Sequence, residues 1–231
     1  MALYALGDLH LSFQADKSME AFGDLWHHYV QKIDKYCGRL TADDTLVLTG
    51  DHSWGRNLAQ CATDLKFIES FPGRKILLRG NHDMFWDAKK TQQLNDLFKD
   101  RLYFLQNNFF SYGPYALVGT KGYCYEGLDT YEHFEKIRDR EVQRLQASFD
   151  AAVASGYDRF IMFLHYPPTS IGEFSSPFTE MAESYGVEHV VYSHCHGRER
   201  FGDSYIGEVN GIEYHLVSGD YLGFKPERIL K

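Results

Sequence analysis

Lys75-Ile-Leu-Leu-Arg-Gly80-Asn81-His82-Asp83 is a short, strand-like run that ends in a glycine and three closely spaced polar residues. Glycine and asparagine are ordinary turn residues, but a turn has no need for a histidine and a second acid beside them. We therefore favour a functional interpretation of this segment over a simple turn. The run before it is typical of a buried strand, which would deliver the polar group to a loop.

Three other short apolar runs end in the same manner. The run from Ala2 to Leu6 ends at Gly7-Asp8, the run from Thr45 to Thr49 ends at Gly50-Asp51, and the run from Phe160 to Leu164 ends at His165. Taken alone, each has a plain structural explanation. Asp8 suits a polar strand end, Asp51 suits a turn, and His165 suits a hydrogen-bonded core histidine. Four such endings in one chain point instead to polar residues clustered at strand ends.

Two further spacings suggest metal binding. Residues two apart on an extended chain face the same side, so Asp8 and His10 form one potential ligand pair and His194 and His196 another. Cys195 then points away and is expected to be a small packed thiol. The combined set predicts a metal site, on the expectation that a single sheet brings all its members together. The candidate ligands are Asp8, His10, Asp51, Asn81, His165, His194 and His196.

Strand-like runs alternate with helical patterns, which predicts an α/β fold with a largely parallel sheet and ligands beyond the carboxyl ends of its strands. Apolar residues recur at helical spacing from Met19 to Ile33 and from Phe134 to Val153, and Gly156 suits a helix C-terminus. The Gly- and Tyr-rich segments 111–126 and 201–224 predict a second sheet. Residues 1–231 are expected to form a single domain.

Composition narrows the function. Hydrophobic residues make up 44% of the 231 residues and charged residues 24%, as in ordinary globular proteins. A formal charge of −8 disfavours a broad nucleic-acid-binding face, so a phosphate-seeking protein with this balance would need the positive charge of bound metal. Four widely spaced cysteines suggest free thiols and a cytoplasmic location. No secretion or membrane signal is visible.

In the order DxH, GD, GNHD, H and HxH, these motifs resemble those of the calcineurin-like metallophosphoesterase superfamily. The resemblance runs from Asp8 to His196 and implies two packed mixed β-sheets flanked by helices, a four-layer α/β/β/α sandwich. It also implies two divalent metal ions, for which nitrogen and oxygen ligands suit Mn, Fe or Zn. The first ion would be held by Asp8, His10, Asp51 and His196, and the second by Asp51, Asn81, His165 and His194.

The implied activity is phosphomonoester or phosphodiester hydrolysis by in-line attack of a metal-bridging hydroxide. His82 would assist the leaving group or the transition state, with Asp83 as one candidate for its partner. The substrate would be a phosphorylated small molecule or nucleotide. The alternatives are a nuclease of the same superfamily and a catalytically weak scaffold that binds protein partners.

The sequence departs from the superfamily's protein phosphatases at the second motif. There GDxxDRG supplies an acid that pairs with the catalytic histidine and an arginine that binds phosphate, whereas Trp54 and Gly55 stand at those two places here. This argues against the protein-phosphatase branch. Arg56 and Arg79 are candidate phosphate contacts or surface charges. Ser193 replaces the usual glycine of the last motif.

Two more groups of residues have open assignments. His52 beside Asp51 suits a supporting or a surface position, because the ligand set is complete without it. Tyr123 and Tyr125, near Lys121, would line a substrate mouth, form an exposed aromatic loop or pack in the second sheet.

Overall fold

The computed structural model describes residues 1–128 and 130–231, in which eleven strands form two mixed sheets. The first sheet has the order β11-β1-β2-β3-β4, with β11 antiparallel to β1 and the other neighbours parallel. Its strands are β1 (Leu3–Leu6), β2 (Thr45–Leu48), β3 (Arg74–Leu78), β4 (Tyr103–Leu105) and β11 (Glu227–Leu230).

The second sheet has the order β5-β6-β7-β8-β10-β9. The four central strands, β6, β7, β8 and β10, are parallel, and β5 and β9 close the two edges by antiparallel pairing. Its strands are β5 (Phe109–Tyr112), β6 (Tyr115–Thr120), β7 (Arg159–Leu164), β8 (His189–Tyr192), β9 (Gly207–Val209) and β10 (Ile212–Leu216). The prediction of a second sheet from segments 111–126 and 201–224 is therefore confirmed.

Five α-helices cover the outer faces of the two sheets in the part of the chain that the structure describes. They are α1 (Tyr29–Cys37), α2 (Ala62–Glu69), α3 (Thr91–Leu97), α4 (Tyr131–Ala154) and α5 (Pro177–Ser184). Helices α1 to α3 pack on the first sheet, and α4 and α5 pack on the second. A third apolar cluster joins the two sheets face to face. The layers thus follow the order helix, sheet, sheet, helix, as the resemblance implied.

The alternation of side chains along β2 shows why its sequence is apolar throughout. Leu46 and Leu48 face the helices, whereas Val47 faces the second sheet, and all three are fully buried. A strand covered on both faces gains from apolar residues at every position. The polar residues consequently begin only where the strand ends.

The helix predicted from Phe134 to Val153 is confirmed by α4, although Val153 itself is exposed. The Thr130 side chain caps its start and Gly156, with φ of +87°, follows its end. The other helical prediction is only partly right. Residues Met19–Phe22 and Asp24–Trp26 form short 3-10 turns, and α1 begins only at Tyr29.

The interruption before α1 has a backbone cause. Gly23 has φ of +111° and His28 has φ of +54°, and neither value is compatible with a continuing right-handed helix. The apolar spacing survives the interruption, because Met19, Trp26 and Ile33 still reach the same core.

The four cysteines are buried free thiols, and Cys195 packs in the core of the second sheet as predicted. Among the described residues, no helical segment has the length and apolarity that a membrane crossing demands.

Candidate metal centre

The seven candidate ligands meet where the carboxyl ends of the two sheets adjoin. Asp8, Asp51 and Asn81 follow β1, β2 and β3 of the first sheet, whereas His165 and His194 follow β7 and β8 of the second. The expectation that one sheet gathers them is therefore wrong. The second sheet packs face to face on the first, so its strand ends reach the same place. A hydrogen bond from the His194 amide to Asp8 Oδ2, 3.0 Å long, spans the junction.

Six of the seven residues form two groups whose potential ligand atoms lie within 4.8 Å of one another. The first group is Asp8, His10 and His196, and the second is Asp51, His165 and His194. The Asn81 Oδ1 atom lies 2.6 Å from His165 Nε2, which adds it to the second group. The two groups contain the residues that the resemblance assigned to each ion, except that Asp51, assigned to both, is grouped only with the second set.

Asp51 lies between the two groups. Its Oδ2 atom is 3.6 Å from His10 Nε2 in the first group and 3.5 Å from His165 Nε2 in the second. Its Oδ1 atom accepts a hydrogen bond of 2.7 Å from the His82 amide. A carboxylate in this position is suited to bridging two ions.

The backbone at the ligands is unusual. Asp8, His10, Asp51 and His194 all have positive φ, between 42° and 73°. This left-handed conformation costs a residue other than glycine about 1–2 kcal/mol. Non-glycine residues in such conformations are concentrated at functional sites, where the surrounding structure holds them. The positive φ values turn these side chains out of the strand direction and towards the common centre.

Two glycines of the motifs permit the close approach of the loops. A side chain on Gly80 would come within about 2.1 Å of Asp51 Oδ1, and one on Gly50 within about 2.5 Å of His165 Nδ1. Gly50 also has φ of +108°, which side chains disfavour. Packing therefore requires both glycines, and the backbone conformation in addition requires Gly50.

The donor atoms fit divalent ions. Asp8 Oδ1 is buried and, among the described residues, makes no hydrogen bond. His196 Nε2 lies 3.4 Å from it and 3.3 Å from His10 Nε2, so ring nitrogens and a carboxylate oxygen face one another. Burial lowers the pKa of His10 and His165 well below the usual value, which keeps both imidazoles neutral. Neutral imidazoles and carboxylates are the ligand forms that bind Mn, Fe and Zn.

Three histidines are oriented by partners on their other ring nitrogen. His165 Nδ1 lies 2.9 Å from the Thr49 carbonyl, His194 Nε2 lies 3.0 Å from Glu126 Oε1, and His196 Nδ1 lies 3.1 Å from Asp220 Oδ1. Such partners fix which nitrogen faces a metal and raise its basicity. Burial lowers the pKa of His196, but the charges of Asp8 and Asp220 and the hydrogen bond to Asp220 outweigh it and raise this pKa to about 10. A bound ion would displace that proton.

Glu126 and Asp220 are not among the candidates predicted from the sequence. Asp220 carried a readable signal, because Leu216-Val217-Ser218-Gly219-Asp220 is an apolar strand end followed by Gly-Asp, as at Asp8 and Asp51. Glu126 lies in an irregular loop without such a pattern.

Asp220→Asn is expected to weaken metal binding by about 10- to 100-fold, the usual effect of losing such a supporting partner. The Asp220 carboxylate accepts from His196 through Oδ1 and from the Gly197 amide through Oδ2, and an amide side chain offers only one acceptor oxygen. Competition with a metal chelator measures the change. Asp139→Asn, an exposed substitution on α4, is the matched control. Equal metal affinity of the Asp220 variant and the parent would remove this residue from the site.

His82 is half-buried beside the two groups and belongs to neither. Its ring centroid is 4.4 Å from that of Trp54, and the Trp54 ring stacks on His10 at 4.8 Å. The Lys17 ammonium lies 3.1 Å from the Trp54 ring centroid. Burial lowers the pKa of His82, and the Lys17 charge and His194 lower it further. Trp54, one of the two departures from the phosphatase motif, thus supports both histidines.

Asp83 is fully buried, and its carboxylate is used by the backbone. It accepts hydrogen bonds from the amides of Asp51, His52 and Gly80, at 2.8 to 3.0 Å. The loops after β2 and β3 are thereby held together. This geometry gives Asp83 a positioning function rather than the side-chain pairing with His82 that the sequence offered as one candidate.

The remaining candidates have clear positions. His52 is fully buried beside Asp83, so the surface alternative for it is wrong. Arg79 Nε donates to the Trp86 carbonyl at 2.6 Å, and Arg56 is an exposed residue that lines a different cavity. Ser193 is fully buried, and its hydroxyl donates to the Thr49 carbonyl, the same carbonyl that His165 contacts.

A cavity of about 390 Å³ opens beside the metal centre. It shares Asn81, His82 and His194 with the site, and Tyr123 and Tyr125 line it, which favours the substrate-mouth alternative for these tyrosines. The Lys121 ammonium is buried 5.0 Å from the Tyr123 ring centroid. The lining residues are Asn81, His82, Tyr123, Cys124, Tyr125, Glu126, Leu128, Phe134, Tyr166, His194 and Arg200.

Comparison with known proteins gives a family and a fold. The family model described as calcineurin-like phosphoesterase matches residues 1–198. No curated protein matches the chain significantly in sequence.

Solved structures with a similar fold include a phosphopantetheinyl hydrolase from Mycobacterium tuberculosis, at 15% identity and a TM-score of 0.62, covering 99% of this chain and 95% of that one. A protein of Thermus thermophilus is similar at 12% identity and a TM-score of 0.55, with 99% and 97% covered. A protein of unknown function from Aquifex aeolicus is similar at 16% identity and a TM-score of 0.53, with 98% and 95% covered.

Proposed function

We propose that this chain, which belongs to the calcineurin-like phosphoesterase family, is a dinuclear metal-dependent phosphohydrolase of small phosphomonoesters or phosphodiesters. The observation that carries the proposal is the pair of ligand groups that share Asp51 beside a cavity lined by His82. The first ion would be held by Asp8, His10, Asp51 and His196, and the second by Asp51, Asn81, His165 and His194.

The charges of the site agree with phosphate binding. Only Asp8 and Asp51 among the seven ligands are anionic, so two divalent ions would leave the site with net positive charge inside an acidic protein. The bound ions would supply the charge that holds phosphate oxygens and makes a water molecule acidic enough to attack phosphorus at neutral pH. Mn, Fe and Zn all suit this ligand set.

Residues of the chain supply the other requirements of hydrolysis. His82 lines the cavity next to the second ligand group, where an imidazole can protonate a leaving oxygen or stabilise the transition state. Asp83 holds the loop that carries His82, and the His82 amide fixes Asp51. Lys17, placed over Trp54, adds positive charge near His82.

The packing of the sheets and the state of the cysteines support two further expectations, a single domain and a cytoplasmic location. A face-to-face sheet core that includes both β1 and β11 supports one domain over residues 1–231. Four buried free thiols are suited to the reducing conditions of the cytoplasm.

The experiment combines elemental analysis of the purified protein with turnover of monoesters, diesters and cyclic nucleotides. Chelation is expected to abolish turnover, and addition of Mn, Fe or Zn to restore it, with about two metal ions per chain at full activity. A parent protein that binds two ions yet turns over none of these esters would favour the scaffold alternative.

A further inference from the structure

The cavity beside the metal centre has an unusual concentration of aromatic side chains. Four aromatic residues line it: Tyr166 and Phe134 are almost completely buried, and Tyr123 and Tyr125 are half-buried. The exposed Leu128 lies at its rim. The partly exposed rings of Tyr123 and Tyr125 are therefore the aromatic surface that a ligand would meet there.

These rings are arranged as a connected set. Tyr123 lies 6.0 Å from Phe134 in a stacked arrangement and 5.1 Å from Tyr166 edge to face, and Tyr125 lies 5.3 Å from Phe134, all between ring centroids. Tyr166 in turn lies 4.1 Å from the ring of His194, one of the candidate ligands. The set leads from the metal centre into the cavity, and offset or edge-to-face contact with a further ring is the favoured mode of aromatic packing.

The charged residues that line the cavity, Arg200 and Glu126, already neutralise each other. Arg200 donates to Glu126 at 2.8 Å and to Asp203 at 2.8 Å, so its charge is matched by two carboxylates. This side of the cavity is poorly suited to a second phosphate group. It does offer a guanidinium donor and a carboxylate acceptor side by side, which can pair with the edge of a heteroaromatic ring.

From these contacts we propose that the cavity binds a flat heteroaromatic group of nucleobase size, joined to the phosphate that is cleaved. The preferred substrates are then nucleoside monophosphates or their diesters, rather than sugar phosphates or polyphosphates. A cavity of about 390 Å³ lies within the range of small-molecule sites. The choice of substrate rests on the proposed function, whereas binding of the ring rests on the cavity alone.

The test compares adenosine 5′-monophosphate with ribose 5-phosphate, which share the phosphate and its leaving oxygen and differ in the base. Isothermal titration of the chelated protein measures binding without metal. The nucleotide is expected to bind about tenfold or more tightly than the sugar phosphate, in line with stacking of one base on aromatic side chains. Equal binding, or no binding of the nucleotide, would overturn the inference.

Substitutions in the cavity test which tyrosines produce the preference for the nucleotide over the sugar phosphate. Tyr123→Leu and, separately, Tyr125→Leu remove one ring each and are expected to reduce the ratio of the two affinities several-fold. Tyr36→Leu on α1 removes a tyrosine that does not line the cavity and should leave the ratio unchanged. A ratio that neither cavity variant alters, with both shown by circular dichroism to be folded, would also contradict the inference.

Turnover of the same pair with metal present separates the two proposals. A higher kcat/KM for the nucleotide, as monoester or as methyl diester, supports both. Tight, ring-dependent binding without turnover would keep the inference and contradict the proposed hydrolysis. Turnover of both compounds at equal kcat/KM with equal binding would keep the hydrolysis and contradict the inference.

Discussion

Asp51→Asn is expected to remove metal from both positions and to lower turnover by about 10³-fold or more. Its Oδ2 atom lies within 4 Å of a candidate ligand nitrogen in each group, His10 Nε2 in the first and His165 Nε2 in the second. An amide places a weak oxygen ligand or a nitrogen donor there. Metal-ion catalysis contributes several kcal/mol, and each 1.36 kcal/mol corresponds to tenfold in rate.

Elemental analysis after dialysis measures the metal content, with Asp43→Asn in an exposed turn as the matched control. The control is expected to keep two ions. Retention of two ions by the Asp51 variant would contradict the bridging assignment.

The metal-free form of the same variant tests whether loss of metal is a result of unfolding. Burial and the nearby Asp83 and Asp8 carboxylates raise the pKa of Asp51 well above its usual value, so the ionised residue is disfavoured without an ion. Asparagine has no charge to bury and retains an oxygen for the His82 amide. The metal-free variant should therefore melt at a temperature no lower than the metal-free parent.

His82→Ala is expected to lower turnover by about 100-fold or more while leaving two metal ions bound. This is the usual scale of general acid–base catalysis. The His82 ring belongs to neither ligand group, and the backbone amide that contacts Asp51 is kept in the variant. Steady-state kinetics with an aryl phosphate, together with elemental analysis, give both quantities. Unchanged turnover would exclude His82 from the mechanism.

The leaving group distinguishes the two functions open to His82. If the imidazole protonates the leaving oxygen, the loss should be larger with an alkyl phosphate, whose alkoxide needs the proton, than with a p-nitrophenyl ester. If it stabilises charge on the phosphoryl group, the two losses should be equal. His27→Ala, at an exposed position outside both ligand groups, serves as the control.

Much of the site was predictable because its signals are local. A short apolar run followed by Gly-Asp or Gly-Asn marks the end of a buried strand, and the structure places Asp8, Asp51 and Asn81 at such ends. The long helix α4 was predictable for the same reason, since its apolar spacing, its Thr130 cap and Gly156 all lie within one segment.

The assignment of strands to sheets was not predictable, because it depends on contacts distant in sequence. Strands β3 and β7 are both apolar on both faces, so nothing in either run identifies the sheet to which it belongs. The partners Glu126 and Asp220 depend in the same way on tertiary placement, which brings them to His194 and His196.

Because two sheets meet at this centre, its ligands come from segments that are distant in sequence. Asp8 and His194 are 186 residues apart, so the ligand set is complete only after nearly the whole described chain has folded. An ion that binds only this completed state stabilises it by mass action, in proportion to the logarithm of its free concentration. Bound metal would thus raise the resistance of the protein to proteolysis as well as its rate of turnover.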